Sequence, residues 1–575
     1  MILQALTRYY KRLRENPDSG VAQDGFTTEQ ISFAVRIDWD GTLLDIIDIR
    51  DMAGKKPRAI GLDVPERVTK SVNICANFLW DNTGYVLGAD EKGKPERSRQ
   101  TFEAFRARQH EVGDGVDDNA MKAVLKFLDA WEPNNASELD NWEDIVGSNL
   151  VFRVADERRF VHQHPAVIDA WRRANVSPSP ENRAMCLVTG KTVPVARLHN
   201  KIKGVRDAQT SGASIVSFNL DAFCSYGKEQ NYNAPIGEEA AFAYTTALNY
   251  LLRFDSTHKI QIGDATTVFW AERDTPIESI FGIILDHREN AADEEAARQV
   301  REYLSAIRAG KKPVGIDESI RFYILGLSPN ASRISVRFWY TETIGELNRA
   351  LAAHFNDLSI VRTYDNQPEN PGIWQLLLET ALLHKSENVN PALAGSVTRS
   401  ILTGTDYPSS LLAAVITRIR ADRDINYYRA ALIKAVLTRH ARNYSKPQEV
   451  SVMLDESSTN TAYRLGRLFA VLEKAQEEAI PGANATIKDR YYGSASATPG
   501  VVFPQLLRLS QHHLAKIGGG AKVNKERLIQ EIAAEIQSFP DHLSLENQGM
   551  FALGYYHQRR ALFAKKDSIE VEPQA

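Results

Sequence analysis

From about Thr343 onward, apolar residues recur at helical spacing and no stretch alternates as a strand would. This change of texture constrains the fold of the 575-residue chain more than any other feature. The spacing predicts helices over 347–356, 374–383, 391–404, 409–428, 428–441, 459–480, 501–517, 524–538 and 547–563. A Gly/Ser/Ala stretch at 489–500 reads as a loop between two of them. The consequence is an all-helical C-terminal domain spanning 343–575.

Ahead of that boundary the patterns are mixed. The N-terminus reads as an amphipathic helix ended by Asn16-Pro17. Residues 31–37 alternate as a strand, Asp38-Trp39-Asp40-Gly41 turns the chain and 43–49 returns, which gives a β-hairpin. Helices are expected at 100–111 and 119–131, with 112–118 as a linker. Further on, strands are expected at 150–155, 214–218, 266–270, 321–327 and 334–340, and helices at 238–253 and 291–307. A chain of this length exceeds one hydrophobic core. The reading is an α+β multidomain protein. It has a mixed α/β N-terminal region over 1–115, a middle α/β region over 116–342 and the helical domain.

Charge is spread unevenly. A formal net charge of −4 excludes a wholly basic binder, so any nucleic-acid contact must come from local patches or from partners. One patch lies between 191 and 228. There, six Lys/Arg (Lys191, Arg197, Lys201, Lys203, Arg206, Lys228) meet two acids, Asp207 and Asp221. Cations neutralise phosphates, glycine lets backbone N–H groups approach, and Asn or Gln can pair with a base edge. The candidate contacts are Lys201, Lys203, Gly204, Arg206, Gln209, Asn219 and Lys228. A second group is Lys70, Asn73 and Asn77, with Phe78 and Trp80 as packing anchors. A third is the basic run Arg418, Arg420, Arg423, Arg429, Lys434, Arg439 and Arg442, with Tyr427 and Tyr428 inside it. Such runs are commonly solvated faces, but this one is one-sided in sign within a chain of negative total charge, which suits a track for displaced DNA or RNA.

Enzyme chemistry is thinly represented. Asp38-Trp39-Asp40-Gly41-Thr42 matches the nucleophile motif of haloacid-dehalogenase-like phosphatases, which would make Asp38 the nucleophile and Asp40 the acid/base beside Mg²⁺. That fold needs a helix and parallel strands after the motif, whereas this chain returns at once as a second strand. A nuclease built on Asp45, Asp48 and Asp51 would have its acids spread over both hairpin faces. Gly190-Lys191-Thr192 lacks the earlier glycine of a phosphate loop, and Pro194 obstructs the helix. His162 and His164, like His512 and His513, have no Cys or Glu cluster around them and read as packing or surface residues. Cys75, Cys186 and Cys224 are too scattered for a disulfide framework, which fits a reducing cytoplasm. No apolar run is long enough for a membrane span. No cofactor is implied.

Several segments, in order along the chain, resemble one family. They are Met1 to Leu6, Asn77-Phe-Leu-Trp-Asp-Asn82 with Tyr85-Val-Leu-Gly88, Cys186-Leu-Val-Thr-Gly190 and Ile202-Lys-Gly-Val205. They continue with Ser217-Phe-Asn219, Ser225-Tyr-Gly227, Asn233-Ala-Pro235, Tyr244 to Asn249 and Tyr491 to Pro499. Together these resemble the large subunit of the type I-C CRISPR surveillance complex, Cascade. The resemblance implies a non-catalytic, cytoplasmic prokaryotic protein. Its partners would be guide RNA (crRNA), target double-stranded DNA, and the backbone and guide-processing subunits of Cascade. It would read a short duplex element, the PAM, help open the duplex, hold the displaced strand and recruit a separate helicase-nuclease. It also implies a small helical subunit translated from within the same gene. Met453 is the only methionine between Met185 and Met550, and residues 453–575 carry fourteen Lys/Arg and fourteen Asp/Glu. Met453 is therefore the expected start of that product.

Overall fold

Strand alternation early in the chain produces small sheets. The first six strands are β1 (Phe26–Ile31), β2 (Phe33–Ile37), β3 (Leu43–Asp48), β4 (Ile60–Pro65), β5 (Trp80–Asn82) and β6 (Asn149–Val154). In the computed structural model, which describes residues 1–16, 19–52, 57–67, 74–90, 94–174, 182–285, 294–446 and 450–564, the chain forms two compact units. The first comprises Met1–Lys201 and Val216–Tyr250, the second Ile202–Ile215 and Leu251–Ala575.

In the first unit, β2 and β3 form the expected antiparallel hairpin, and β2 also pairs in parallel with β6 to give a sheet ordered β3-β2-β6-β5. β1 and β4 form a separate antiparallel ladder. The hairpin turn needs Gly41: its φ is +95°, and a Cβ there would come 2.6 Å from the Lys126 side chain. The helices are α1 (Ile2–Glu15), α2 (Thr83–Val86), α3 (Pro95–Gly113), α4 (Asn119–Ala130), α5 (Trp142–Ile145) and α6 (Pro165–Ala174). Phe105 and Phe127 pack on Phe152 of β6, and Phe78 stacks on Trp171 with ring centroids 5.4 Å apart. Phe78 and Trp80 are thus the buried anchors their composition suggested. A short ladder of β7 (Arg183–Met185) and β8 (Thr192–Pro194) precedes α7 (Glu238–Leu252), whose last two residues belong to the second unit.

The second unit opens with an antiparallel sheet ordered β12-β11-β10-β9, made of β9 (Lys259–Ile262), β10 (Ala265–Ala271), β11 (Arg321–Asn330) and β12 (Arg333–Thr343). Two helices, α8 (Ile277–Leu285) and α9 (Glu294–Arg308), interrupt it. Phe269, Phe281 and Phe322 form an aromatic cluster beneath. After β12 the described chain is helical, as the texture change required: α10 (Ile344–Leu358), α11 (Ile373–Leu378), α12 (Pro391–Thr403), α13 (Ser409–Asp422), α14 (Tyr427–Asn443), α15 (Thr461–Ala479), α16 (Ile487–Ala495), α17 (Pro499–Lys516), α18 (Gly519–Ala534) and α19 (Leu545–Phe563). One continuous core joins the sheet to these helices. α15 and α19 touch backbone to backbone. A Cβ on Gly466 would overlap the Phe551 carbonyl oxygen, and one on Gly554 would overlap that of Tyr463.

Two local expectations fail. Residues 489–500 are not a loop: Thr486 and Asp489 form a reciprocal cap that starts α16, and Tyr492 is buried as its anchor. Residues 214–218 are not a strand. Only Ser214 bridges to Arg333, because the segment meets the edge of β12 for a single residue.

Candidate nucleic-acid interface

The basic segment divides between the two units. In the second unit, residues 202–215 form a lobe sewn to the sheet. Ile202 and Ala213 exchange backbone hydrogen bonds of 2.9 Å, Arg206 N–H donates to Thr266 Oγ1 (3.0 Å), and Ile334 N–H donates to the Ser214 carbonyl (2.9 Å). Ile202, Val205 and Ala213 are buried beneath it. Lys203, Gly204, Arg206 and Gln209 are exposed on it. Gly204 has φ +87°, and a Cβ would stand 2.5 Å from the Leu252 carbonyl oxygen, so only glycine brings this loop so close to the end of α7. Arg206 also makes a loose, exposed pair with Asp207 (3.6 Å).

In the first unit, Lys201 is exposed and its carbonyl accepts a hydrogen bond from Asn249 Nδ2 (3.0 Å). Asn219 and Lys228 are exposed on the loop that follows residue 216. Asn233 builds that loop: its Oδ1 accepts Ser225 N–H (2.9 Å), and its Nδ2 donates to the carbonyls of Lys228 (3.0 Å) and Gln230 (2.9 Å). The tip is left-handed at Tyr226 (φ +56°) and Gly227 (φ +69°), and Tyr226 stands 99% exposed. Neither Tyr226 nor the staple Asn233 was legible as such. The Tyr-Gly pair was the available signal for a presented side chain.

The second group fares differently. Lys70 and Asn73 lie outside the described residues. Asn77, expected to read a base edge, is buried at 1% exposure, and that assignment is corrected. Its N–H donates to Asp81 (3.1 Å), and its carbonyl accepts from Gln109 Nε2 (3.0 Å). Gln109 also accepts Leu79 N–H (2.8 Å), which holds Leu79 at φ +58°. Asn77 is therefore part of a buried arch.

The basic helical run is corrected too. Arg429 is wholly buried, paired with Glu379 (2.9 Å) and Asp422 (2.5 Å). Lys434 is buried and donates to the Asp357 carbonyl (3.1 Å); burial lowers its pKa. Arg439 is buried between Asp357 (2.8 Å) and the face of Tyr407 (4.1 Å). Arg418 pairs with Asp422, Arg420 donates to Gln548 (2.8 Å), and Arg423 lies 3.8 Å from Asp489. Arg420 and Arg423 are exposed, while Arg429, Lys434 and Arg439 are committed within the fold, so the run does not present a continuous track. Their partners at 357 and 379 lie far away in sequence, and that distance hid the arrangement.

The enzyme motifs resolve into structure. Asp38 accepts Trp39 N–H (2.7 Å) and Asp40 accepts Thr42 N–H (2.9 Å), and both shape the β2–β3 turn. The Thr42 hydrogen bonds hold Asp40 below the usual carboxylate range. His164 bridges Asp118 and Glu157, both at 2.9 Å, while burial pushes His162 down to about 3. Among the described residues, no group of three or more His, Cys, Asp or Glu is placed to hold a metal ion, and no helix is long and apolar enough to cross a membrane. The first unit also holds a cleft of about 1030 Å³. Its lining mixes Arg8, Lys11 and Arg172 with Asp24, Glu66 and Glu238, so it lacks the uniform sign of a phosphate channel.

A family model described as CRISPR-associated protein (Cas_Csd1) matches residues 6–563. No curated protein matches the chain.

Proposed function

Because the chain belongs to the Cas_Csd1 family of CRISPR-associated proteins, we propose that it is the large subunit of a type I-C Cascade. It recognises the PAM in target duplex DNA, aids strand opening, engages the displaced strand and helps recruit a separate helicase-nuclease. Its partners are the guide RNA (crRNA) and the other Cascade subunits. The observation that carries the reading is the exposed lobe bearing Lys203, Gly204, Arg206 and Gln209 on a rigid sheet, in a chain of this family. Lys201, Asn219 and Lys228 add exposed polar groups from the first unit. Lys70 and Asn73, which lie outside the described residues, belong to the same proposed DNA-facing set.

Duplex binding by the reconstituted guide-RNA complex, with and without this chain, on targets with a randomised flank tests the proposal. Affinity and flank preference should both require the chain. If neither changes, PAM recognition lies in another subunit.

The same reading includes a small subunit started at Met453. That methionine is exposed in the segment before α15, and helices α15 to α19 follow it, with Glu473 paired to Arg559 inside them (3.1 Å). Met453→Leu should abolish the short product on a gel. Its persistence would exclude this start.

A further inference from the structure

The turn after α7 carries an aromatic ring that the fold does not use. Phe254 is 100% exposed. An apolar ring left in water contributes nothing to the core. Its neighbours Arg253, Asp255 and Thr257 are also exposed, so the ring is not part of an apolar patch of the kind that docks a protein.

The base of the ring is fixed. Lys259 Nζ donates to the carbonyls of Leu252 (3.0 Å) and Arg253 (2.8 Å), where the negative end of α7 favours a cation. Ser256 N–H donates to the Arg253 carbonyl (3.2 Å), and Arg253 pairs with Asp255 (3.2 Å). The basic lobe passes this same turn, since Gly204 packs on the Leu252 carbonyl. Lys203 and Arg206 are one and two residues along the chain from that contact, and Phe254 is two residues beyond it on the other side. A flat ring beside cations is the chemistry that holds an unpaired nucleobase: the ring stacks on the base, and the cations neutralise the adjoining phosphates.

We propose that Phe254 stacks on an unpaired nucleobase while Lys203 and Arg206 hold the neighbouring phosphates. This rests on the reading of the chain as a nucleic-acid-engaging Cascade subunit.

The test uses the whole reconstituted complex. 2-Aminopurine is placed singly along the displaced DNA strand in one series and along the guide RNA in another. With the wild-type chain, fluorescence at one position should be quenched. Phe254→Ala should release that quenching and weaken binding about 5- to 100-fold. Phe254→Trp should restore both. Thermal melting should not distinguish the variants, because the ring touches no core. A response in either series supports stacking and identifies the strand. If no position responds to Phe254→Ala while flank-dependent binding persists, the stacking inference fails and the proposed function stands. If Phe254→Ala folds but no longer joins the complex, the ring is a subunit contact and the inference fails. If the wild-type complex shows no chain-dependent binding at all, the proposed function itself fails.

Discussion

Two regions of this protein read as basic in the sequence and are treated oppositely by the fold. The lobe at 202–215 displays Lys203 and Arg206 on a scaffold anchored through its backbone and the apolar residues beneath. The helical run from 418 to 442 turns Arg429, Lys434 and Arg439 inward, onto Asp357, Glu379 and Asp422, and leaves Arg420 and Arg423 at the surface. Charge in a sequence therefore shows that a cation must be satisfied, not by what. In the lobe, local glycines and short loops leave Lys203 and Arg206 exposed, where an external anion can reach them. In the helices, each turn returns a side chain to the same face, where distant acids meet it.

The sharpest way to break this comparison is to remove the buried acid that holds the run. Asp357→Ala leaves Arg439 buried without its carboxylate and should cost about 3–5 kcal/mol in denaturant unfolding. If the cost is below about 1 kcal/mol, these cations are not structural. A pH series sharpens the contrast with groups buried as neutral species. Burial holds His162 at about 3 and His199 at about 4. The folded protein keeps both uncharged, whereas the unfolded chain protonates them below about pH 6.5. Their stabilisation is thus complete above that pH and declines as the pH falls towards the folded values. Each should contribute up to about 1.4 kcal/mol per pH unit in that window. His162→Gln should flatten the slope of unfolding free energy between pH 6.5 and 5, and an unchanged slope would contradict burial as the cause.

The smallest effect on stability is expected in the lobe. Lys203→Ala should change unfolding free energy by less than about 0.5 kcal/mol. It should still lower the salt dependence of duplex binding by the complex by about one phosphate contact, equally for every flank sequence. A loss confined to one flank would make Lys203 a reader of bases instead.

Long, periodic elements were legible in the sequence: α4, α7, the β2–β3 hairpin, β10 to β12 and the helical C-terminal region. Short strands were not. β4, β5 and β7 to β9 are defined by their ladder partners, and three to six residues carry too little periodicity to show it. The same reason explains α16, where the capping pair Thr486 and Asp489 outweighs a run of small residues. At the candidate interface, the exposure of Lys203 and Arg206 agreed with their composition. Burial of Asn77 and Arg429 depended on Gln109, Glu379 and Asp422, contacts that no local pattern encodes. Phe254 was not legible, because an exposed phenylalanine and a core phenylalanine look alike in a sequence.

The glycine contact between α15 and α19 works as an alignment key. Sliding α19 by one turn would bring Met550 or Gln558 to the place where Gly554 meets the Tyr463 carbonyl, and neither side chain fits there. The helix pair therefore has one register. Both halves of the key lie downstream of Met453, so a product begun at that methionine would inherit its own alignment instead of taking it from the rest of the chain.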